Sequence, residues 1–274
     1  MKTISLQDEH FRHEKNGYSC SFHAGRYIKW CRNFPYTTNI TVFTGGSIIY
    51  ASRQEYRNQY NIAWLVEPFE ILAQPYEIVI NNWNAFDLVI THDLDLIKAV
   101  PNAVYVPYGD CWIDKLDWNI HTKSKLCSIF CSEKRLTQQH YLRHECLKFD
   151  FIDKFGYMNP VKHKIDGLKE YQFSIVVENS KSCGFFTEKI MDCFATGTVP
   201  IYSGADNIGD YFDLRGIIRF QTIEELDDIL DNLRLGIVGY KDYLPFVKNN
   251  FALFRQHVQK DDNILSVLEE KGII

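Results

Sequence analysis

The sequence predicts an α/β protein built from parallel layers, and three observations carry that prediction. Short runs of β-branched and aromatic residues recur along the 274 residues. Segments of helix length, with apolar residues three and four apart, lie between several of these runs. No repeat of about 20–50 residues and no low-complexity tract points to a solenoid or a linker array. Strands that alternate with helices favour parallel sheets over hairpins.

Taken in order, strands are predicted at residues 40–43, 62–66, 88–91, 103–106, 126–130, 173–177, 199–202 and 216–220. The firmest helix spans residues 222–235, with Ile223, Leu226, Ile229, Leu230 and Leu233 on one face. It opens with Thr222-x-x-Glu225, a capping box. From Tyr240 onward the pattern is helical again, and Pro245 and Asp261-Asp262 read as interruptions. A division falls near residues 115–124, where AVYVPYG has ended and the polar WNIHTKSK runs. The expected domains are therefore 1–118 and 119–274, the second ending in a helical tail.

Composition removes several classes of function. Thirty Lys and Arg against 35 Asp and Glu leave a net charge of -5, without the basic footprint of a nucleic-acid binder. Apolar residues at 46% and charged residues at 24% describe a folded globular chain, not a disordered one. The 15% of aromatics serve large cores before they serve sugar-stacking surfaces. MKTISLQDEH is not a basic region leading into an apolar stretch, so no signal peptide is expected. No run of about 18 apolar residues occurs, so no integral membrane segment is expected either. Eight cysteines lie scattered without a CxxC pair and read as reduced, buried thiols. The expected compartment is cytoplasmic.

Chemistry concentrates in residues 171–204, YQFSIVVENSKSCGFFTEKIMDCFATGTVPIYSG. A buried strand ends in Glu178-Asn179-Ser180, and a polar loop leads to Thr187, a good N-cap. A helix follows with Ile190, Cys193 and Phe194 inward, and then another strand. Open α/β sheets bind ligands beyond the carboxyl ends of strands, beside helix N-termini that favour phosphate. Lys189 stands in the first turn, where the dipole disfavours a cation, and it makes more sense beside an anion. Glu188 would repel a phosphate and suits hydroxyl groups such as a ribose diol. Residues 115–189 hold 13 Lys and Arg against 9 Asp and Glu, a bias that fits a phosphate ligand or a solvated surface.

This stretch resembles the donor-binding signature of the family-10 glycosyltransferases, the α-1,3/1,4-fucosyltransferases. Their motif reads approximately F-x-x-x-F-E-N-S, a short loop, Y-x-T-E-K, a helix and P-(V/I)-x-x-G. Glu178-Asn179-Ser180, Thr187-Glu188-Lys189, Pro200-Ile201 and Gly204 match it in order and without a gap. Two positions depart: Phe185 holds the place of the motif's Tyr, and Val177 that of a Phe. The resemblance implies that the Tyr touches the donor phosphates, so Phe185 keeps the ring and loses the hydroxyl. Upstream, KLCSIFCSEKRLTQQHYLRHECL is similar to the family's strand and helix carrying an Arg that faces the pyrophosphate. Arg143 is the match, with Arg135 as the alternative register; a guanidinium fork suits two phosphate oxygens. AVYVPYG resembles a V-P-Y-G segment that closes the family's first domain. The strong match covers about an eighth of the chain, the loose one residues 62–235.

In NIAWLVEP the strand ends at Glu67, just before Pro68, which holds Glu67 extended at the carboxyl edge. The resemblance implies a catalytic Glu at a comparable place, and the role carries to Glu67, with Glu70 as the competing neighbour. Asp93-x-Asp95 is a possible metal motif, but Asp93 reads first as a helix cap. The pairs His140/His144 and His10/His13 lack a third ligand, so no metal site is assigned. G-x-G-x-x-G, Walker and G-x-S-x-G patterns do not occur, which sets aside dehydrogenases, kinases and serine hydrolases. Cys127 and Cys131 read as core residues.

What the resemblance implies is a two-domain, GT-B-type enzyme with Rossmann-like halves facing a cleft. It would move L-fucose from GDP-β-L-fucose to an acceptor glycan hydroxyl, with inversion. Glu67 would take the acceptor proton, while Arg143 and Lys189 would stabilise the leaving pyrophosphate. Asn179 and Thr187 would orient the phosphates and Glu188 the ribose; Glu178, Ser180 and Phe185 complete the donor-binding set. No cofactor is obligatory: a divalent metal is possible but not expected to be required. The expected partners are a GDP-sugar donor and an acceptor oligosaccharide or glycan, with no nucleic acid. Two alternatives stand beside this reading: the same fold with another GDP-sugar, and a non-catalytic nucleotide- or glycan-binding protein. Phe185 is the feature that favours the last.

Overall fold

The computed structural model describes residues 2–8, 22–23, 26–32, 38–53 and 58–274; His10, His13 and Cys20 lie outside them. Strands are β1 (Lys2–Gln7), β2 (Ile28–Arg32), β3 (Ile40–Thr44), β4 (Tyr60–Leu65), β5 (Leu88–Thr91), β6 (Ala103–Tyr105), β7 (Lys125–Cys131), β8 (Asp153–Gly156), β9 (Tyr171–Val177), β10 (Val199–Ser203) and β11 (Ile218–Arg219). Helices are α1 (Ala73–Asn82), α2 (Leu94–Ala99), α3 (Gln138–Glu145), α4 (Glu188–Thr196), α5 (Ile223–Arg234), α6 (Tyr240–Leu253) and α7 (Lys260–Glu270). The chain forms two compact units. The first holds Met1–Asp110, Cys183–Phe185 and His257–Ile274, and the second Cys111–Ser182 and Phe186–Gln256.

In the first unit the sheet order is β2-β1-β3-β4-β5-β6, with every neighbouring pair parallel. Its strands β3, β4 and β5 are buried almost throughout, as parallel strands covered on both faces must be. One face carries Ile4, Trp30, Val42 and Trp64, the other Phe43, Leu65 and Val89 under Tyr76 and Val79 of α1. Strand β1 escapes the sequence pattern because polar Ser5 and Gln7 are buried beside Ile4 and Leu6, and the partner of the Ser5 hydroxyl, Thr38 Oγ1 at 3.1 Å, is distant in sequence.

The C-terminal segment departs from the expected tail. Ile264, Leu265 and Leu268 of α7 join the core of the first unit, because they form one apolar stripe. Asp261 and Asp262 occupy the first turn of α7, where carboxylates favour a helix, and so they start one rather than interrupt it. Lys260 Nζ, buried, lies 3.1 Å from the buried Asp110 carboxylate and 4.4 Å from the Tyr108 ring centroid. Gly109 (φ +59°) has no room for a Cβ against the His257 carbonyl, which accounts for the glycine of VPYG.

The expected boundary at 118/119 also shifts, to Asp110/Cys111. Residues after 110 are held inside the second unit: Trp112 N donates to Asp192 Oδ1 at 2.7 Å, and the Trp118 ring meets Phe254 at 5.0 Å.

In the second unit the order is β11-β10-β9-β7-β8, again parallel throughout. Counted from its own first strand this is 2-1-3-4-5, so the order reverses between β7 and β9. Ligands of doubly wound sheets bind outside the carboxyl ends of strands at that point. Pro200 is tolerated in β10 because the pairing with the short β11 begins only at Ile201. Thr222 caps α5 as expected, accepting from Glu225 N at 3.3 Å. Pro245 lies within α6 instead of ending it, at the cost of one helical hydrogen bond.

Candidate active site

The sequence motif folds into one cluster at the reversal point of the second sheet. Glu178 continues β9, its N–H donating to Ser203 O at 2.8 Å, and its side chain is fully buried. One carboxylate oxygen accepts from Thr187 N at 2.9 Å, the other from Thr187 Oγ1 at 2.7 Å, with Lys189 Nζ 3.4 Å away. Glu178 thus fastens the start of α4 to the end of β9. Gly204 is small for the same reason, since a Cβ there would stand 2.7 Å from Glu178 Cγ and would also meet the Tyr202 hydroxyl.

Thr187 caps α4, accepting from Lys189 N at 3.3 Å. Lys189 Nζ donates to Thr187 Oγ1 at 3.0 Å and lies 3.6 Å from Glu188 Oε1. A cation in this first turn opposes the helix dipole, and the Glu178 and Glu188 carboxylates hold it there. Lys164 Nζ approaches the buried Glu188 as well, at 4.0 Å, and pairs with Asp192 at 2.6 Å. It sits 4.8 Å from the Trp112 ring. Burial works against the Lys164 charge, but Asp192 and Glu188 outweigh it and hold its pKa above the usual range.

Arg143, buried on α3, reaches the end of β9. Its Nε donates to Val177 O at 3.1 Å; Nη2 also donates to Val177 O, and to Asn179 Oδ1 at 2.9 Å. Burial lowers its pKa and Glu178 opposes that shift; a guanidinium stays charged regardless. Asn179 is therefore held by Arg143 through its side chain and by Thr137 through its carbonyl, at 2.9 Å. Ser180 is buried in a local turn, 2.7 Å from Ser182 Oγ. Arg135 is exposed and faces His144 Nδ1 at 3.2 Å.

Phe185 belongs to the first unit. Its ring is buried in the first unit, 4.7 Å from His92 and 6.2 Å from Tyr108. Without a hydroxyl to hydrate or to pair with an anion, the ring packs as core in that unit.

Glu67 also belongs to the first unit, half-buried just beyond β4. Tyr76 Oη donates to its backbone carbonyl at 3.1 Å. Ile71 N donates to Pro68 O at 2.9 Å, a turn that leaves Glu70 exposed. His92, at the end of β5, is buried and held neutral: burial pushes its pKa down to about 4. Asp93 caps α2 through Asp95 N (2.9 Å) and Leu96 N (3.0 Å). Among the described residues no group of three or more His, Cys, Asp and Glu is placed to hold a metal.

Sequence reasoning missed Lys164, Asp192 and Thr137. Asp192 stands one turn after Glu188 on the same helix face, and Thr137 has the composition of an N-cap, so both were open to discovery. Lys164 lies in a short turn before β9 and carries no periodic signal.

Together, two doubly wound parallel sheets with this cluster at a strand-order reversal define the fold of the GT-B glycosyltransferases. An alpha1,3-fucosyltransferase solved with GDP superposes with a TM-score of 0.62 at 15% identity, over 98% of this chain and 90% of that one. Alr3699/HepE of Anabaena, solved with UDP and glucose, superposes with a TM-score of 0.61 at 10% identity, over 99% and 100%. Residues 120–266 match the family described as glycosyltransferase family 10 (fucosyltransferase), C-terminal part, and the chain belongs to that family. The alpha-(1,3)-fucosyltransferase FucT of Helicobacter pylori is 28% identical over 90 residues, 33% of this chain. An alpha-(1,4)-fucosyltransferase of Arabidopsis thaliana is 30% identical over 79 residues, 28% of this chain. The matches span 19% and 20% of those relatives' own lengths. No helix among the described residues is long and apolar enough to cross a membrane.

Proposed function

We propose that the protein is an inverting fucosyltransferase that moves L-fucose from GDP-β-L-fucose to a hydroxyl of an acceptor glycan. The observation that carries this reading is the convergence of Arg143 and the Lys189-bearing start of α4 on the end of β9, built by the family's own motif. The diphosphate would lie against Arg143, Lys189 and the first N–H groups of α4, where cations and a helix terminus stabilise charge on the leaving group. Asn179 and Thr187 orient the phosphates, Ser180 shapes the turn after β9, and Glu188 takes ribose hydroxyls. Glu178 acts through Thr187 and Lys189 rather than on the donor. Glu67 is the base that removes the acceptor proton.

With Arg143 and Lys189 as counter-charges, turnover requires no divalent metal; activity lost to a chelator and restored by Mn²⁺ would refute this. The reading places the enzyme in the cytosol, where the seven described free thiols stay reduced.

The test is a thermal-shift titration with GDP, UDP, ADP and CMP on the wild type and Lys189→Ala. GDP at about 100 times its Kd stabilises the wild type by roughly 2.7 kcal/mol, and the variant loses the response. Equal responses to UDP and GDP would remove the GDP assignment. A GDP-sugar panel and Glu67→Gln then separate fucose from other sugars and transfer from binding alone.

A further inference from the structure

His140 stands on α3 one turn before Arg143 and is buried. Thr137, the cap of α3, gives its hydroxyl proton to the Asn179 carbonyl at 2.9 Å. A hydroxyl has one proton, so the 2.8 Å contact between Thr137 Oγ1 and His140 Nδ1 requires Nδ1 to be the donor. The ring is neutral, because burial pushes its pKa down to about 4 and nearby cations add to the effect. A neutral imidazole with its proton on Nδ1 carries a lone pair on Nε2. That buried nitrogen has no hydrogen-bond partner among the described residues.

The surroundings of the ring are cationic. Lys134, Arg143 and His144 face it from its own segment and Lys189 from α4, and each disfavours its protonation. Glu178 offsets part of the Lys189 charge from 3.4 Å. A lone pair among cations is an arrangement that an incoming anion reverses: a diphosphate neutralises Arg143 and Lys189 and favours the imidazolium.

We propose that His140 is a further phosphate-binding residue. When a nucleoside diphosphate enters, Nε2 takes a proton from solvent and donates it to a phosphate oxygen, while Nδ1 keeps its bond to Thr137. Donor binding is thereby linked to uptake of a proton. This inference rests on the donor-site reading above.

Calorimetric titration of GDP near pH 7, in buffers of different ionisation enthalpy, tests it. The wild type takes up as much as about one proton beyond the titration of GDP itself, and its affinity falls by up to about tenfold per pH unit between the pKa of the free ring and that of the bound one, levelling off above the latter. His140→Asn keeps an amide donor near Thr137 and lacks Nε2; its uptake drops to that of GDP alone and the added pH dependence disappears. Nitrogen NMR of the wild-type ring gives a second measurement that needs no variant: Nε2 changes from acceptor to protonated on addition of GDP. Equal uptake by wild type and variant, or an unchanged Nε2 signal in the GDP complex, overturns this inference alone. A wild type that binds no GDP overturns the donor-site reading and this inference with it.

Discussion

The two units share a strand order and differ in what their reversal points do with charge. In the first, the order turns between β1 and β3, where Asp8 pairs with Arg32 at 2.7 Å and Ser47 donates to the Gln7 carbonyl at 2.6 Å. In the second it turns between β7 and β9, where Glu178 pairs with Lys189 at 3.4 Å. Each pair couples a buried carboxylate to a cation about one-fifth exposed, with side-chain exposures of 1% and 21% against 0% and 22%. The second pair is set at the start of a helix, beside a guanidinium and a histidine acceptor. Topology alone therefore supplies a place for a ligand, and the residues added to it decide whether phosphate chemistry follows.

The largest effects should come from breaking these matched pairs. Removing a carboxylate from a buried ion pair costs about 3–5 kcal/mol, so Asp8→Ala and Glu178→Ala should destabilise the fold to a similar degree in urea titrations. Their ligand responses should part. Asp8→Ala keeps its GDP-induced stabilisation, whereas Glu178→Ala loses it, because Thr187 and Lys189 are no longer anchored. Loss of the GDP response in both variants would show that the reversal points are not functionally distinct.

A smaller effect tests the buried aromatic. Phe185→Tyr restores the family's residue, but its hydroxyl would enter a buried site against His92 and Tyr108. Overpacking of this kind costs about 1–3 kcal/mol, read as a lower urea midpoint, while GDP affinity stays unchanged. Tighter GDP binding by Phe185→Tyr would place the position at the proposed phosphate site.

The contrast between Phe185 and its neighbours also marks how far the sequence can be read. Glu178, Thr187 and Lys189 lie within twelve residues and form a strand end and a helix start, so local pattern alone brings them together. Arg143 is distant in sequence and was recognisable only through the resemblance. Three residues of the same loop, Cys183–Phe185, belong to the other unit, a choice made by packing partners some 80–90 positions away that no local pattern encodes. Strands β4, β5, β9 and β10 were legible because burial on both faces demands continuous apolar runs. Strand β8, DKFG, was not, since it lies at the sheet edge and buries only Phe155. Helix α7 was legible as a helix, but the sheet it covers was not. His140 was read as half of an unsupported metal pair, because its tautomer depends on what Thr137 does with its proton.

The smallest predicted effect concerns the opposite edge of the second unit. Lys123 Nζ donates to the carbonyls of Lys169 (3.2 Å) and Thr196 (2.9 Å) and to Thr198 Oγ1 (3.0 Å). It thereby ties the segment before β9 to the end of α4. Burial pushes its pKa down to about 7, so above that value the folded state holds fewer protons here than the unfolded chain, whose lysine titrates near 10.4. Stability contributed at this site therefore rises with pH from about 7 and levels off near the unfolded pKa. Between pH 7 and 8 the wild type should gain on Lys123→Met by less than about 1.4 kcal/mol, the limit for one proton per pH unit. Urea titrations at the two pH values measure this difference, and GDP affinity should be the same in both proteins. A pH-dependent gap in GDP affinity would mean that this edge is coupled to the proposed phosphate site, and the division of labour between the two ends of the second sheet would fail.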